Sequence, residues 1–222
     1  MPVFARAKTL DELNVKLGTN ATLLCDQFEY KKDLQIYSAG DPANYLYHVK
    51  EGAVRTYKLL SDGRRQIDAF HLEGDFFGLT SEDRHRFSAE TVVKTTLWRI
   101  KRDNFELANV DGVLLQYLLG STAQSLHHAE DHLLLLGRKE AIEKVATFLL
   151  EMDHRLAHKD KLTLPMTRRD IADYLGLTLE TVSRALAKLK KQGAIRFAGN
   201  NKQREIKIIS KRRLLALDPS SD

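Results

Sequence analysis

The run from Thr167 to Ile195, TRRDIADYLGLTLETVSRALAKLKKQGAI, admits few folds. Thr167 follows Pro165 closely and has Asp170 three positions on, the pattern of an N-cap with a reciprocating acid. Ile171, Ala172 and Leu175 then recur at helical spacing. A first short helix is expected there, closed by Gly176 in the left-handed position that ends helices. Leu177 is expected to plug the core, and Thr178 to cap a second helix whose buried face carries Val182, Leu186 and Leu189. The connection is about three residues long, within the range of a helix-turn-helix.

That packing sends Leu179, Glu180, Ser183, Arg184 and Ala187 to the opposite side of the second helix. Their chemistry suits base edges in a major groove: Arg184 offers two parallel donors to guanine, and Glu180 accepts from the cytosine amino group. Ser183 adds a hydroxyl and Leu179 an apolar contact for a thymine methyl. Taken singly, Glu180 equally fits an acid complementing a helix dipole, and Glu180 with Arg184 an (i, i+4) surface pair. Thr167, Arg168, Thr178 and Thr181 lie near helix N-termini, where phosphates are held in register. After Lys190, Lys191, Gln192 and Gly193, the segments AIRFAG and REIKII predict two short strands around Gly199, Asn200 and Asn201, a β-hairpin wing.

The segment resembles the DNA-binding domain of the Crp/Fnr superfamily of bacterial transcription regulators. Thr167, Arg168, Ile171, Ala172, Leu175, Gly176, Thr178, Glu180, Thr181, Val182, Ser183, Arg184, Leu186, Leu189, Gly193 and Ile195 carry the likeness. Within the superfamily, Glu180, Ser183 and Arg184 resemble the Fnr and FixK branch, which implies a TTGA–TCAA type palindrome. The cyclic-AMP receptor branch usually has arginine at the position of Leu179 and glycine at that of Ser183, and this chain departs from it at both. The resemblance also implies activation through RNA polymerase and a place in low-oxygen, nitrogen-fixation or denitrification programmes.

With 222 residues the chain has room for about two domains. Its net charge of +5 is unevenly distributed: residues 1–137 carry 16 Lys and Arg against 19 Asp and Glu, and residues 138–222 carry 19 against 11. The polyanion-binding half is therefore the C-terminal one. No apolar run approaches the roughly twenty residues that cross a bilayer, and no signal-peptide core is evident, so a cytoplasmic protein is expected.

From about residue 20 to 100 short strands alternate with glycine turns, which predicts a β-barrel or jelly roll. The clearest hairpin runs from Ala53 to Leu60, turns at Ser61-Asp62-Gly63 and returns from Arg64 to Leu72. The run from Gly40 to Val54, followed by Gly74-Asp75-Phe76-Phe77-Gly78, resembles the cyclic-nucleotide-binding fold. These glycines report turns and close backbone approach, not a ligand. In nucleotide-binding relatives a glutamate holds the ribose and an Arg-Ser or Arg-Thr pair the cyclic phosphate. Leu79 and Phe87-Ser88 stand at those positions here, with Arg84 and Arg86 out of register. A buried phosphate lacking such a donor is poorly compensated, so no cyclic-nucleotide effector is expected. An effector bound to the barrel in another mode remains the alternative.

No cofactor or metal is expected either. An iron–sulfur cluster of the Fnr type needs about four thiolates, and the chain has one cysteine, Cys25, read as a small buried hydrophobe. His127, His128 and His132 cluster on a helix without an evident further ligand. In the related carbon-monoxide regulator pattern a haem histidine falls near Thr80, and here His71 and His85 only flank that place. His48, His71 and His85 lack the spacing of a catalytic metal cup, so an enzyme is not expected.

The stretch from Asn109 to Arg138 reads as one long helix, with Val113, Leu114, Tyr117, Leu118, Ala123, Leu126, Leu133 and Leu134 at three- and four-residue steps and Gly120 interrupting without breaking it. The matching helix in relatives pairs two subunits, which implies a homodimer on a palindromic double-stranded DNA site. The expected organisation is α+β: an N-terminal cyclic-nucleotide-binding-like β-barrel (1–108), a dimerisation helix (109–138) and a C-terminal winged helix-turn-helix (139–222).

Overall fold

The structure, a computed structural model, describes residues 25–103, 112–138, 140–156, 162–198 and 204–217. The chain forms two compact units, Met1–His128 and Ala129–Asp222.

In the first unit, strands β1 (Cys25–Tyr30), β2 (Gln35–Tyr37), β3 (Tyr45–Glu51), β4 (Ala53–Leu59), β5 (Arg65–Leu72), β6 (Phe76–Phe77), β7 (Ser88–Thr91) and β8 (Thr95–Lys101) build two antiparallel sheets. Their orders are β1-β8-β3-β6 and β2-β7-β4-β5. Residues of both inner faces meet in one core: Tyr37, Val54 and Ala89 from one sheet, Tyr47, Val49, Phe77 and Leu97 from the other. β7 shows the two-residue alternation of a pleated sheet with one wet face, whereas β3, β4 and β8 each bury four residues in succession.

The anticipated hairpin is the β4–β5 pair, in register from Ala53↔Leu72 to Leu59↔Arg65 with one irregularity after Thr56. Its turn is closed by Leu60 N–H to Arg64 O (2.8 Å), by Asp62 Oδ1 accepting from Arg64 N–H (3.0 Å), and by Gly63 at φ 80°. Between β3 and β4, Gly52 has φ +100°, and a Cβ there would lie 2.6 Å from Thr95 Oγ1 and 2.7 Å from the Lys94 carbonyl oxygen. Only glycine fits that position.

Helix α1 (Gly112–Arg138) is continuous through Gly120. Residues 109–111 of the expected helix, and the side chains of Val113, Leu114, Tyr117 and Leu118, lie outside the described residues. Leu119, Leu126 and Leu133 stand at seven-residue spacing and are 61%, 58% and 70% exposed. No helix among the described residues is long and apolar enough to cross a membrane.

The second unit contains α2 (Ala141–Leu156), β9 (Leu162–Thr163), α3 (Arg168–Leu175), α4 (Leu179–Lys191), β10 (Ile195–Phe197), β11 (Glu205–Ile208) and α5 (Lys211–Leu215). The expected wing is present as β10 and β11, paired from Ile195↔Ile208 to Phe197↔Ile206, and its turn around Gly199, Asn200 and Asn201 lies outside the described residues. The sequence reading placed two strands; β9 adds a third on the far side of β11. Phe148, Leu149 and Met152 of α2 bury the apolar face on which the helix-turn-helix rests. Lys211 of α5 pairs with the buried Asp153 of α2 at 2.5 Å.

Candidate nucleic-acid interface

Helix α3 starts where its cap chemistry requires. Thr167 is extended (φ −83°, ψ 166°), its hydroxyl accepts from Asp170 N–H (3.2 Å), and Asp170 Oδ2 accepts from Thr167 N–H (2.9 Å) and Thr167 Oγ1–H (2.6 Å). The reciprocal pair satisfies donors that a helix start leaves open. The helix stops at Gly176, left-handed at φ 63°, ψ 37°. Leu177, expected in the core, is half-buried. Thr178 caps α4: its hydroxyl accepts from Thr181 N–H (3.2 Å) and shares a hydrogen bond with Thr181 Oγ1 (2.9 Å).

On α4, Val182, Ala185, Leu186 and Leu189 are buried. The complementary face carries Glu180, Arg184, Lys188 and Lys191, all exposed, with Leu179, Thr181 and Ser183 half-buried beside them. An acid in the first turn and lysines in the last complement the helix dipole. A hydrogen bond from its own backbone N–H, then one from Thr178, and finally the charges of Arg169 and Arg184 hold the Glu180 carboxyl below the usual carboxylate range. Glu180 is thus an acceptor-only group near neutral pH. Within its own helix the Arg184 guanidinium reaches Thr181 Oγ1 (Nη2, 3.5 Å).

Thr167, Arg168, Arg169, Leu179 and Ser183 line a notch of about 310 Å³ between the start of α3 and the start of α4. Four of the eight expected interface residues, Thr167, Arg168, Leu179 and Ser183, line it; Thr178 caps α4, and Glu180, Thr181 and Arg184 follow on the same helix. Arg169 is an exposed cation that the sequence reading passed over; its position at the second residue of α3 was the available signal. Arg168 is half-buried, and its side chain reaches inward. Its guanidinium stands 5.4 Å from the centre of the Phe197 ring in β10, and its Nη1 is 3.5 Å from Ser183 Oγ.

A second concavity, about 410 Å³, lies in the first unit, where Tyr37, Thr56, Asp68, His71 and His85 face Ser125 of α1. Burial raises the Asp68 carboxyl; the Thr56 hydrogen bond (3.4 Å), the His128 imidazole and the Arg86 guanidinium oppose that rise. His85 stacks on Tyr37 with ring centres 3.6 Å apart, and burial lowers its pKa. The residues at the nucleotide-holding positions are otherwise engaged or exposed. Leu79 is exposed, and Ser88 Oγ accepts from Ala39 N–H at 2.9 Å. Arg84 donates to the Gly40 carbonyl at 2.6 Å.

The histidines of α1 do not converge: His132 stacks on Tyr174 of α3 (4.1 Å), whereas the charge of His128 acts on Asp68. Cys25 opens β1, and its side chain lies outside the described residues.

Residues 27–108 match the cyclic nucleotide-binding domain family and residues 143–217 the Crp-like helix-turn-helix domain family. The chain is 44% identical over 166 residues to the nitrogen fixation regulation protein FixK of Rhizobium meliloti, covering 75% of this chain and 76% of that protein. It is 41% identical over 178 residues to the transcriptional activatory protein AadR of Rhodopseudomonas palustris, covering 78% and 74% respectively. Among solved structures it is similar to FixK2 from Bradyrhizobium japonicum, with 54% identity, a TM-score of 0.84, and coverage of 90% of this chain and 100% of that one. The structure of a CooA mutant from Carboxydothermus hydrogenoformans shares the fold, with a TM-score of 0.78 at 23% identity over 94% of each chain.

Proposed function

We propose, because the chain belongs to the FixK-like branch of the Crp/Fnr family of transcription regulators, that it acts in the cytoplasm as a homodimeric activator that binds a TTGA–TCAA type palindrome and works with RNA polymerase. One observation carries the reading: Glu180, Ser183 and Arg184 stand together on the outward side of α4, at the helix end that adjoins the start of α3. Glu180, held ionised, accepts from a cytosine amino group; Arg184 donates to guanine; Ser183 and Leu179 complete the half-site. Thr167, Thr178 and Thr181, with Arg169 added, border the groove walls and set the register on phosphates, whereas Arg168, which the sequence also assigns to phosphate, turns inward toward Phe197.

The leucines at 119, 126 and 133 support the dimer. Three large apolar side chains at heptad spacing, each more than half exposed, form the seam of a two-stranded coiled coil and are costly to leave in water. Two-fold symmetry then places two copies of α4 one DNA turn apart, about 34 Å.

The barrel supports effector-free action. A phosphate entering the cavity would face the Asp68 carboxyl, to whose charge the lining Arg86 already responds, and Arg84 is bound to the Gly40 carbonyl. The cavity itself favours the second reading, a regulator gated by a small ligand of other chemistry. Selection of bound sites from random DNA by the purified full chain tests the main reading. Recovery of a two-fold symmetric motif without added effector is expected, and recovery of no motif overturns it. Titration calorimetry with cyclic AMP and cyclic GMP, and an absorption spectrum for haem or iron–sulfur, separate the two readings.

A further inference from the structure

The base-reading face is held from behind by a group that the sequence places on phosphate duty. Arg168, the first residue of α3, lies across two other elements: its guanidinium carbon stands over the Phe197 ring of the wing, 5.4 Å from the centroid, and its Nη1 approaches Ser183 Oγ at 3.5 Å. Its Nε is buried and makes no hydrogen bond. Lys190, in the last turn of α4, stands over the same Phe197 ring at 5.7 Å. One aromatic ring thus ties the start of α3, the end of α4 and the first strand of the wing through cation–π contacts. The neighbouring Arg169 is exposed and makes none of these contacts.

We infer that Arg168 is a positioning residue that, clamped on Phe197, aims the Ser183 hydroxyl and fixes the wing against α4, so that specificity at the base pair read by Ser183 depends on two residues that do not touch it. The inference rests on the proposal that α4 reads DNA and deepens it. A serine hydroxyl rotates freely and both donates and accepts. A guanidinium that donates to its oxygen leaves the hydroxyl proton pointing outward, and Ser183 then presents a donor to the groove. Arginine suits the task because its planar fork can lie against the ring and still donate in fixed directions at once; lysine keeps the charge but, as a compact ammonium, does not hold both contacts together.

The test uses the full-length protein with Arg168→Lys, Phe197→Leu, Ser183→Ala and Arg169→Ala, each profiled for base preference over the selected site and for the salt dependence of binding. Ser183→Ala identifies the base pair that Ser183 reads. Arg168→Lys and Phe197→Leu are each expected to reduce discrimination at that pair by about three- to tenfold, the worth of one oriented hydrogen bond, while leaving discrimination at the Arg184 pair and the salt slope unchanged. Arg169→Ala is expected to do the reverse, keeping base preference and lowering the slope by about 0.9 per half-site. An unchanged preference at the Ser183 pair in Arg168→Lys overturns the inference. So does a uniform loss over all sequences with base preference intact, which would make Arg168 a phosphate contact only. Should wild-type protein show no base preference at all, the DNA-reading proposal itself fails, which is a distinct outcome.

Discussion

Replacing Leu126 with alanine separates the helix seam from every other part of the molecule. Alanine is the best helix former, so α1 stays intact, and the side chain removed is one that the monomer leaves 58% exposed. Full burial of a leucine contributes about 1.5–3 kcal/mol, so covering the exposed fraction contributes about 1–2 kcal/mol per copy. A symmetric dimer loses that twice, about 2–4 kcal/mol, which weakens association by roughly 30-fold to several hundred-fold. Sedimentation equilibrium on wild-type and variant protein measures the change directly. Leu59→Ala, which removes a leucine 65% exposed at the hairpin end of β4, is the control and is expected to leave association unaltered. If Leu126→Ala shifts the dimer constant by less than about threefold, the leucine seam is not the subunit contact and the argument from heptad spacing fails.

Three further outcomes are expected. Arg184→Ala costs about 1–3 kcal/mol at the cognate palindrome and leaves binding to random DNA nearly intact, as titration of labelled duplexes will read; an equal loss on both contradicts base reading. Gly52→Ala forces a Cβ against Thr95 and the Lys94 carbonyl at positive φ, and lowers unfolding stability by about 2–5 kcal/mol in urea titrations. His85, whose folded-state pKa burial depresses below its ordinary 6.5, contributes stability at pH 7 that is lost as pH falls through 6.5, because the unfolded chain takes up the proton first. Stability measured between pH 7.5 and 5.5 will show that slope, and His85→Phe, which keeps a ring against Tyr37, will flatten it.

Much of the second unit was legible because its signals are local. Thr167 with Asp170, Gly176 and Thr178 are cap residues whose side chains act within three or four positions, and each does in the structure what its chemistry requires. The Ser61-Asp62-Gly63 turn is equally local. What escaped depends on pairing across the chain. β9 is two residues long, and only its register with Glu205 and Ile206 makes it a strand. Arg168 reads as an exposed helix-start cation until Phe197, twenty-nine positions on, is brought beneath it. Leu119 was passed over among the leucines of α1 because periodicity marks an apolar face without saying whether its own chain covers it.

The hydroxyls near the helix starts sharpen how this surface meets a phosphate. Thr167 spends its hydroxyl on both donating to and accepting from Asp170, and Thr178 accepts from Thr181 while its own proton goes to Glu180. Neither is a spare donor, so on the proposed reading their part in holding a phosphate is indirect: they fix the first turns so that the remaining open N–H groups and Arg169 are available to it. Glu180 follows the same logic from the opposite sign. Its carboxylate is satisfied by its own N–H and by Thr178 in the free protein, which keeps it charged without a cation locked against it. If Glu180 reads DNA as proposed, those bonds would be exchanged for a cytosine amino group in a groove, where an unpaired acid close to phosphates would otherwise repel the backbone. On the proposed reading, a duplex with cytosine at the right step accepts that exchange and one without it leaves the carboxylate stranded, so the acid would act chiefly by rejecting wrong sequences.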